Sequence, residues 1–214
     1  MSIQIKVCGM TDFNQVQSLA DMHIDFAGFI FYPKSSRYVA DKISAEEIEK
    51  ISGMHISTVG VFVDEDIESL INVVDKWKLD YVQLHGNESP DYCKHVSTYC
   101  KVIKAFRVGA EDRLDKKTDG YEHVDSFLFD TKAELHGGTG LKFDWNQLSV
   151  PLSRPYFLSG GIGLDDVVRI NDFIATADHM FAVDVNSQFE TAPGFKDLEK
   201  VLQFKLYLNN DSHA

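Results

Sequence analysis

Short apolar runs alternate with amphipathic stretches eight times along this chain, and that rhythm limits what it can fold into. Strand-like runs lie at residues 3–8, 26–31, 58–63, 81–84, 101–106, 125–130, 156–159 and 181–185. Their ends, at Cys8, Phe31, Val63, His85, Phe106, Asp130, Gly160 and Asp184, recur every 21–32 residues. Between them, residues 12–22 carry Phe13, Val16, Leu19 and Ala20 at helical spacing, with Asp12 placed to cap. Ser44 with Glu47 three residues later makes a capping box. Later helices carry Ile67, Leu70, Ile71 and Val74, then Tyr92 and Val96, then Val167, Val168 and Ile170, and finally Leu198, Val201, Leu202 and Leu206. The fifth connection is polar and weakly helical, and the sixth is Gly-rich with a short helical piece near Asp144 to Leu148. Eight strand–helix units of about 25 residues predict an α/β protein of one (β/α)8 TIM barrel. The rival, a doubly wound open sheet, calls for a nucleotide-type loop, but the first strand runs into Cys8-Gly9-Met10-Thr11 with no G-x-G-x-x-G. No linker or composition shift divides the chain, so residues 1–214 are expected to form a single domain.

Charge excludes one class of partner. The 214 residues hold 21 Lys and Arg against 33 Asp and Glu, a net charge of −12, so the bulk basic footprint of a nucleic-acid binder is absent. An anionic ligand would need a local positive field. Cys8, Cys93 and Cys100 have neither metal-ligand spacing nor a disulfide pattern, and the eight histidines form no zinc motif. No basic segment precedes an apolar run at the N-terminus and no stretch is long enough for a membrane span, which predicts a cytoplasmic, soluble chain.

A barrel of this kind keeps its active site at the C-terminal ends of the strands. The polar residues there are Cys8, Gln83, His85, Asp130, Gly160, Gly161 and Asp184, with Arg37 in the second loop. Cys8 reads either as a small buried hydrophobe or as a reactive thiol, because Lys6 shares its strand face and a nearby ammonium favours the thiolate. Lys6 itself either faces Cys8 or snorkels to the barrel floor. Asp130 follows three apolar residues, a setting that suits a general acid. Gly160-Gly161 after the seventh strand lets backbone N–H groups approach a phosphate, and Asn186-Ser187 after the eighth adds donors. His136-Gly137-Gly138-Thr139-Gly140 has the look of a lipase oxyanion loop, but no G-x-S-x-G exists in the chain, and a flexible loop over the site is the better reading.

Together these segments resemble phosphoribosylanthranilate isomerase, a family of tryptophan biosynthesis. The resembling stretches are Lys6-Val7-Cys8-Gly9-Met10-Thr11, Gly28-Phe29-Ile30-Phe31-Tyr32 with Ser36-Arg37-Tyr38-Val39, and Val59-Gly60-Val61-Phe62. They continue through Val82-Gln83-Leu84-His85-Gly86, Phe129-Asp130-Thr131, and Gly137-Gly138-Thr139-Gly140 with Phe143-Asp144-Trp145. The last are Leu158-Ser159-Gly160-Gly161-Ile162 and Asp184-Val185-Asn186-Ser187, followed by Glu190, Pro193-Gly194 and Lys196-Asp197. They fall in family order over nearly the whole chain.

The resemblance implies a cofactor-free and metal-free barrel, monomeric or homodimeric, that performs an Amadori rearrangement on a small anionic substrate. It makes Cys8 the general base and Asp130 the general acid. It matches Arg37 to the arginine that meets the anthranilate carboxylate and Asp184 to an aspartate near the substrate amine. Gln83 and His85 match the strand-four motif and line the pocket, while Gly160, Gly161, Asn186 and Ser187 fall in the phosphate loops. Three features depart from the family pattern. Leu141 stands where a lysine is usual, with Lys142 after it. Asn186-Ser187-Gln188 replaces Ser-Ser-Gly. The fifth connection, with Asp112, Arg113, Asp115, Lys116 and Lys117, carries no family signature. Indole-glycerol-phosphate synthase would need lysines at strand ends that here are Phe31 and Val63. The histidine-pathway isomerases need aspartates where Cys8 and Phe106 stand. A phosphate-binding barrel without activity would be expected to lack Cys8 or Asp130.

Overall fold

The alternating runs become eight parallel strands that close on themselves. The computed structural model describes residues 3–51, 53–131 and 143–210. The strands are β1 (Gln4–Val7), β2 (Phe26–Ile30), β3 (Ser57–Phe62), β4 (Tyr81–Leu84), β5 (Lys101–Val108), β6 (Ser126–Thr131), β7 (Tyr156–Leu158) and β8 (Met180–Val185). They pair in chain order, and β1 pairs with β8 in the register Lys6–Asp184 to complete the barrel. The intervening helices are α1 (Phe13–Asp21), α2 (Ala45–Glu49), α3 (Ile67–Trp77), α4 (Pro90–Val96), α5 (Leu114–Lys117) and α6 (Val167–Ile174). The sixth crossover ends in a 3-10 turn at Trp145–Ser149. After β8 a two-stranded antiparallel ribbon, β9 (Glu190–Ala192) and β10 (Phe195–Lys196), leads into α7 (Leu198–Asn210). No described helix is long and apolar enough to cross a membrane. The expected loop at residues 136–140, and Leu141 and Lys142, lie outside the described residues.

Local signals form as written. The Asp12 side chain accepts from Gln15 N at 2.9 Å and caps α1. Ser44 and Glu47 make the reciprocal capping box of α2. One repeated device was not anticipated. An aspartate immediately before β2, β4 and β6 accepts a backbone N–H from the preceding strand: Asp25 from Ile5 at 2.8 Å, Asp80 from Thr58 at 2.8 Å and Asp125 from Val102 at 2.7 Å. Each bond occupies a donor at the strand entrance and ties an even strand to its odd neighbour, which fixes their register.

The inside of the barrel is filled by Phe26, Val59, Ile103, Ala105, Leu128, Phe157 and Ala182, and the Phe26 and Phe157 rings meet edge to face at 5.4 Å. That apolar plug seals the lower half, so polar inward residues collect above it, at the C-terminal ends. Outside, a second cluster joins sheet and helices. Here two expectations fail. Val201 of α7 is buried as expected, but Leu202 and Leu206 are exposed and Phe204 and Leu208 take their place; Val168 of α6 is also exposed. Apolar residues lie on more than one face of α7, so periodicity alone did not single out the buried one.

A buried ion pair fixes the loop after β4. Lys104 Nζ, on β5, reaches Glu88 Oε2 at 2.8 Å and the carbonyls of Gly86 at 2.9 Å and Leu84 at 3.2 Å. Glu88 also accepts from the backbone N–H of Asp64 and Gly86, both at 3.0 Å. The loops after β3 and β4 are thereby tied to β5 around the turn that carries His85. Removing one partner leaves a buried charge uncompensated, so Glu88→Ala is expected to lower stability by about 3–5 kcal/mol, read from urea denaturation.

Candidate active site

At the C-terminal ends of the strands a cavity of about 210 Å³ is lined by Cys8, Gln83, His85, Asp130, Ser159, Gly160, Gly161, Asp184, Asn186 and Ser187, with Ile30, Val61, Ile162 and Gln188. A larger groove of about 620 Å³ opens at the opposite end, around Gln4, Asp25 and Asp80, and holds none of the expected site residues. All the expected residues except Arg37 line the smaller cavity. Arg37 stands beside it: a Cβ built on Gly9 would touch the Arg37 stem at 2.7 Å and Asn186 Oδ1 at 2.9 Å.

On the β1–β8 side, Lys6 is fully buried and its ammonium lies 2.8 Å from Asp184 Oδ1. It does not snorkel to the barrel floor. Asp184 Oδ2 accepts from Ser159 Oγ at 3.0 Å. Burial works against the Lys6 ammonium, but Asp184 and Cys8 outweigh it and raise its pKa above the ordinary value. A Cβ on Gly28 would sit 2.9 Å from Cys8 Sγ and 3.2 Å from Lys6 Nζ, so only a glycine lets β2 pass the thiol and the ammonium this closely. The expectation that Lys6 would favour a thiolate holds for its own contribution alone. Burial pushes the Cys8 thiol up, Lys6 pulls it down, and burial wins. Replacing Lys6 with Met is therefore expected to move Cys8 ionisation to still higher pH, since the downward pull is lost and Asp184 is left unneutralised. Alkylation rate of Cys8 against pH, read site by site by mass spectrometry, checks this; an unchanged midpoint would show that Lys6 does not act on the thiol. Cys93 and Cys100, pushed by burial to about 12 and about 11, are read separately.

Across the barrel, Asp130 at the end of β6 meets His85 Nε2 at 3.4 Å, and Gln83 Nε2 lies 2.8 Å from His85 Nδ1. With the Gln83 amide donating to Nδ1, the neutral imidazole carries its proton on Nε2, facing the carboxylate. Gln83 Oε1 is buried with no hydrogen-bond partner, an acceptor left over at the cavity wall. Cys8 and Asp130 thus bound one cavity from opposite sides.

The glycine pair makes the third wall. Gly160 and Gly161 have φ of 102° and 66°, and a Cβ on Gly160 would collide with Thr131 Oγ1 and its backbone N. The turn therefore needs glycine both for its backbone angle and for its contact with β6. Asn186 departs from the simple expectation: its Oδ1 accepts from Lys196 Nζ at 2.7 Å, which holds the side chain toward the ribbon. Sequence reasoning gave no role to Ser159, Lys196, Glu190 or Arg107. Arg107 is the register partner of Asp130 and is exposed at the same rim, but it lies beyond the point where strand five was ended.

The chain is similar to known proteins along nearly its full length. A family model described as N-(5'phosphoribosyl)anthranilate (PRA) isomerase matches residues 5–205. The N-(5'-phosphoribosyl)anthranilate isomerase of Parabacteroides distasonis is 38% identical over 202 residues, covering 94% of this chain and 90% of that one. The solved phosphoribosyl anthranilate isomerase of Thermotoga maritima is 33% identical with a TM-score of 0.80, covering 97% of this chain and 99% of that one. A phosphoribosyl anthranilate isomerase solved in complex with reduced 1-(o-carboxyphenylamino)-1-deoxyribulose 5-phosphate is 31% identical with a TM-score of 0.77, at the same coverage. An eight-stranded barrel with Cys8 and Asp130 facing each other over one cavity, and this likeness along nearly its full length, lead to one conclusion: the chain belongs to the N-(5'-phosphoribosyl)anthranilate isomerase family.

Proposed function

We propose that the protein isomerises N-(5'-phosphoribosyl)anthranilate to 1-(2-carboxyphenylamino)-1-deoxyribulose 5-phosphate, a step of tryptophan biosynthesis, with Cys8 as general base and Asp130 as general acid. The observation that carries this reading is the cavity bounded by Cys8 on β1, Asp130 on β6 and the glycine turn after β7. Asp130 gives its proton to the ribose ring oxygen. The C1'–oxygen bond breaks as the anilino nitrogen lone pair forms an iminium. The iminium acidifies C2', whose proton passes to the Cys8 thiolate, and the electron pair closes a C1'–C2' enolamine. The Cys8 proton returns at C1', and the proton on O2' restores Asp130, leaving the ketone. Protons and electrons balance over the cycle, and each positioned group is worth about 10²–10⁴-fold.

Backbone N–H groups around Gly160, Gly161 and Ser187 hold the phosphate, with Asn186 at its edge, in the manner of loops after the seventh and eighth strands of such barrels. Arg37 takes the anthranilate carboxylate, Asp184 faces the amine, and Gln83 and His85 line the sugar. No group of three His, Cys, Asp or Glu side chains suited to a metal occurs among the described residues. The reading is tested by following the loss of phosphoribosylanthranilate fluorescence on adding purified protein. Absence of turnover by folded protein would sink it and leave the barrel as a binding protein.

A further inference from the structure

The ribbon after β8 sits outside the cavity, yet its two best-buried charges point back at it. Glu190, with its side chain 5% exposed, accepts from Arg37 Nε at 2.8 Å and from Arg37 Nη2 at 2.5 Å. The same carboxylate accepts from Lys196 Nζ at 2.7 Å and from Gly194 N at 3.1 Å. Lys196, whose side chain is fully buried, also donates to Asn186 Oδ1 at 2.7 Å. Neither Glu190 nor Lys196 lines the cavity.

The guanidinium is a rigid fork with two usable edges. Glu190 occupies the side edge, Nε with Nη2, and so fixes the plane and direction of the end edge, Nη1 with Nη2. On that edge Nη1 makes no bond to Glu190 and Nη2 keeps its second hydrogen, the pair of donors a second carboxylate needs. We propose that Glu190 and Lys196 are positioning residues that aim Arg37 and Asn186 at the substrate, so that the ribbon sets selectivity for an aromatic amine bearing a carboxylate. This rests on the functional reading above, in which Arg37 takes that carboxylate.

The alternative is that Glu190 merely screens the arginine. The contacts argue against it, because one carboxylate ties Arg37, Lys196 and the Gly194 backbone together. Burial pulls Lys196 below its ordinary value and Glu190 opposes that pull. Burial likewise pushes the Glu190 carboxyl up, but Arg37 and Lys196 outweigh it and bring it to about 2. Neutralising Glu190 removes the one carboxylate that holds both Arg37 and Lys196, and what changes is the hold on Arg37.

The experiment uses two ligands, the reduced product and its counterpart without the carboxyl group, titrated calorimetrically into wild type, Glu190→Gln and Glu190→Asp. Wild type should prefer the carboxylate ligand. Glu190→Gln should bind that ligand about ten-fold more weakly, the worth of one charge-assisted hydrogen bond, and bind the carboxyl-free ligand unchanged. Glu190→Asp, which keeps the charge on a shorter arm, should fall between and guards against a folding defect in the glutamine variant. In turnover the loss should appear in KM with kcat nearly kept. Equal weakening of both ligands would make Glu190 merely structural, and tighter carboxylate binding would make it a screen; either overturns the proposal. If wild type bound both ligands equally, Arg37 would not meet the carboxylate and the inference would fall while the isomerase reading stood. Failure of wild type to bind either would overturn both.

Discussion

Replacing Cys8 with alanine is expected to lower kcat by about 10²–10⁴-fold while the reduced product still binds. The reaction cannot proceed without removal of the C2' proton, and among the described residues that line the cavity the one sulfur belongs to Cys8. Its thiol is pushed up by burial, so the free enzyme rests mostly as thiol, and the thiolate is formed against Lys6 and the incoming iminium. A serine in this place would be a far weaker base, so Cys8→Ser should fall nearly as far. Substitution by alanine removes one buried sulfur and is tolerated by the fold at a cost of about 1–2 kcal/mol, which a thermal melt will register separately from activity. The measurement is a fluorescence time course at saturating substrate beside calorimetric binding of the reduced product. A variant with near-normal kcat would remove Cys8 from the base role and move attention to Asp184, the remaining carboxylate on that side of the cavity.

How much of this was legible beforehand depended on distance along the chain. The eightfold rhythm, the Asp12 cap and the Ser44–Glu47 box involve neighbours within a few residues, and each residue declares its role by type and spacing. The strand-end rule then placed Cys8, Gln83, His85, Asp130 and Asp184 at one end of the barrel, and the cavity holds all five. Partners were another matter. Lys6 bonds Asp184 across 178 positions and Arg37 bonds Glu190 across 153, and no periodicity links such pairs. The sequence showed a lysine on the Cys8 face but not that Asp184 would neutralise it, nor that full burial would outweigh its pull on the thiol. Arg107 escaped notice because β5 runs on to Val108, past the Phe106 at which the apolar run stopped. In α7 too many leucines were on offer, and packing against α1 and α6 decided which face went inside.

Asp130→Asn carries the second large effect, and its pH profile separates acid catalysis from a purely structural loss. Asparagine keeps the shape of the side chain and can still accept from His85 Nε2, the contact seen at 3.4 Å, so the turn after β6 should be preserved. It has no proton to give to the ring oxygen. The expected fall in kcat is again about 10²–10⁴-fold, with binding of the reduced product retained. The wild-type reaction needs a proton on Asp130 and none on Cys8 at the same moment. A rate that needs one group protonated and the other ionised is bounded in pH on both sides, so wild-type kcat/KM should rise, level off and decline. In Asp130→Asn the requirement for the acid is gone, and the residual rate should follow the thiolate alone. Because burial places the Cys8 thiol above its ordinary value, that rate should keep rising with pH through the range where wild type is level. The two profiles therefore differ in slope, which a loss of packing or of electrostatic support would not produce. A residual rate that parallels the wild-type profile would show that the acid lies elsewhere, with His85, which meets Asp130 at 3.4 Å, as the group to replace next.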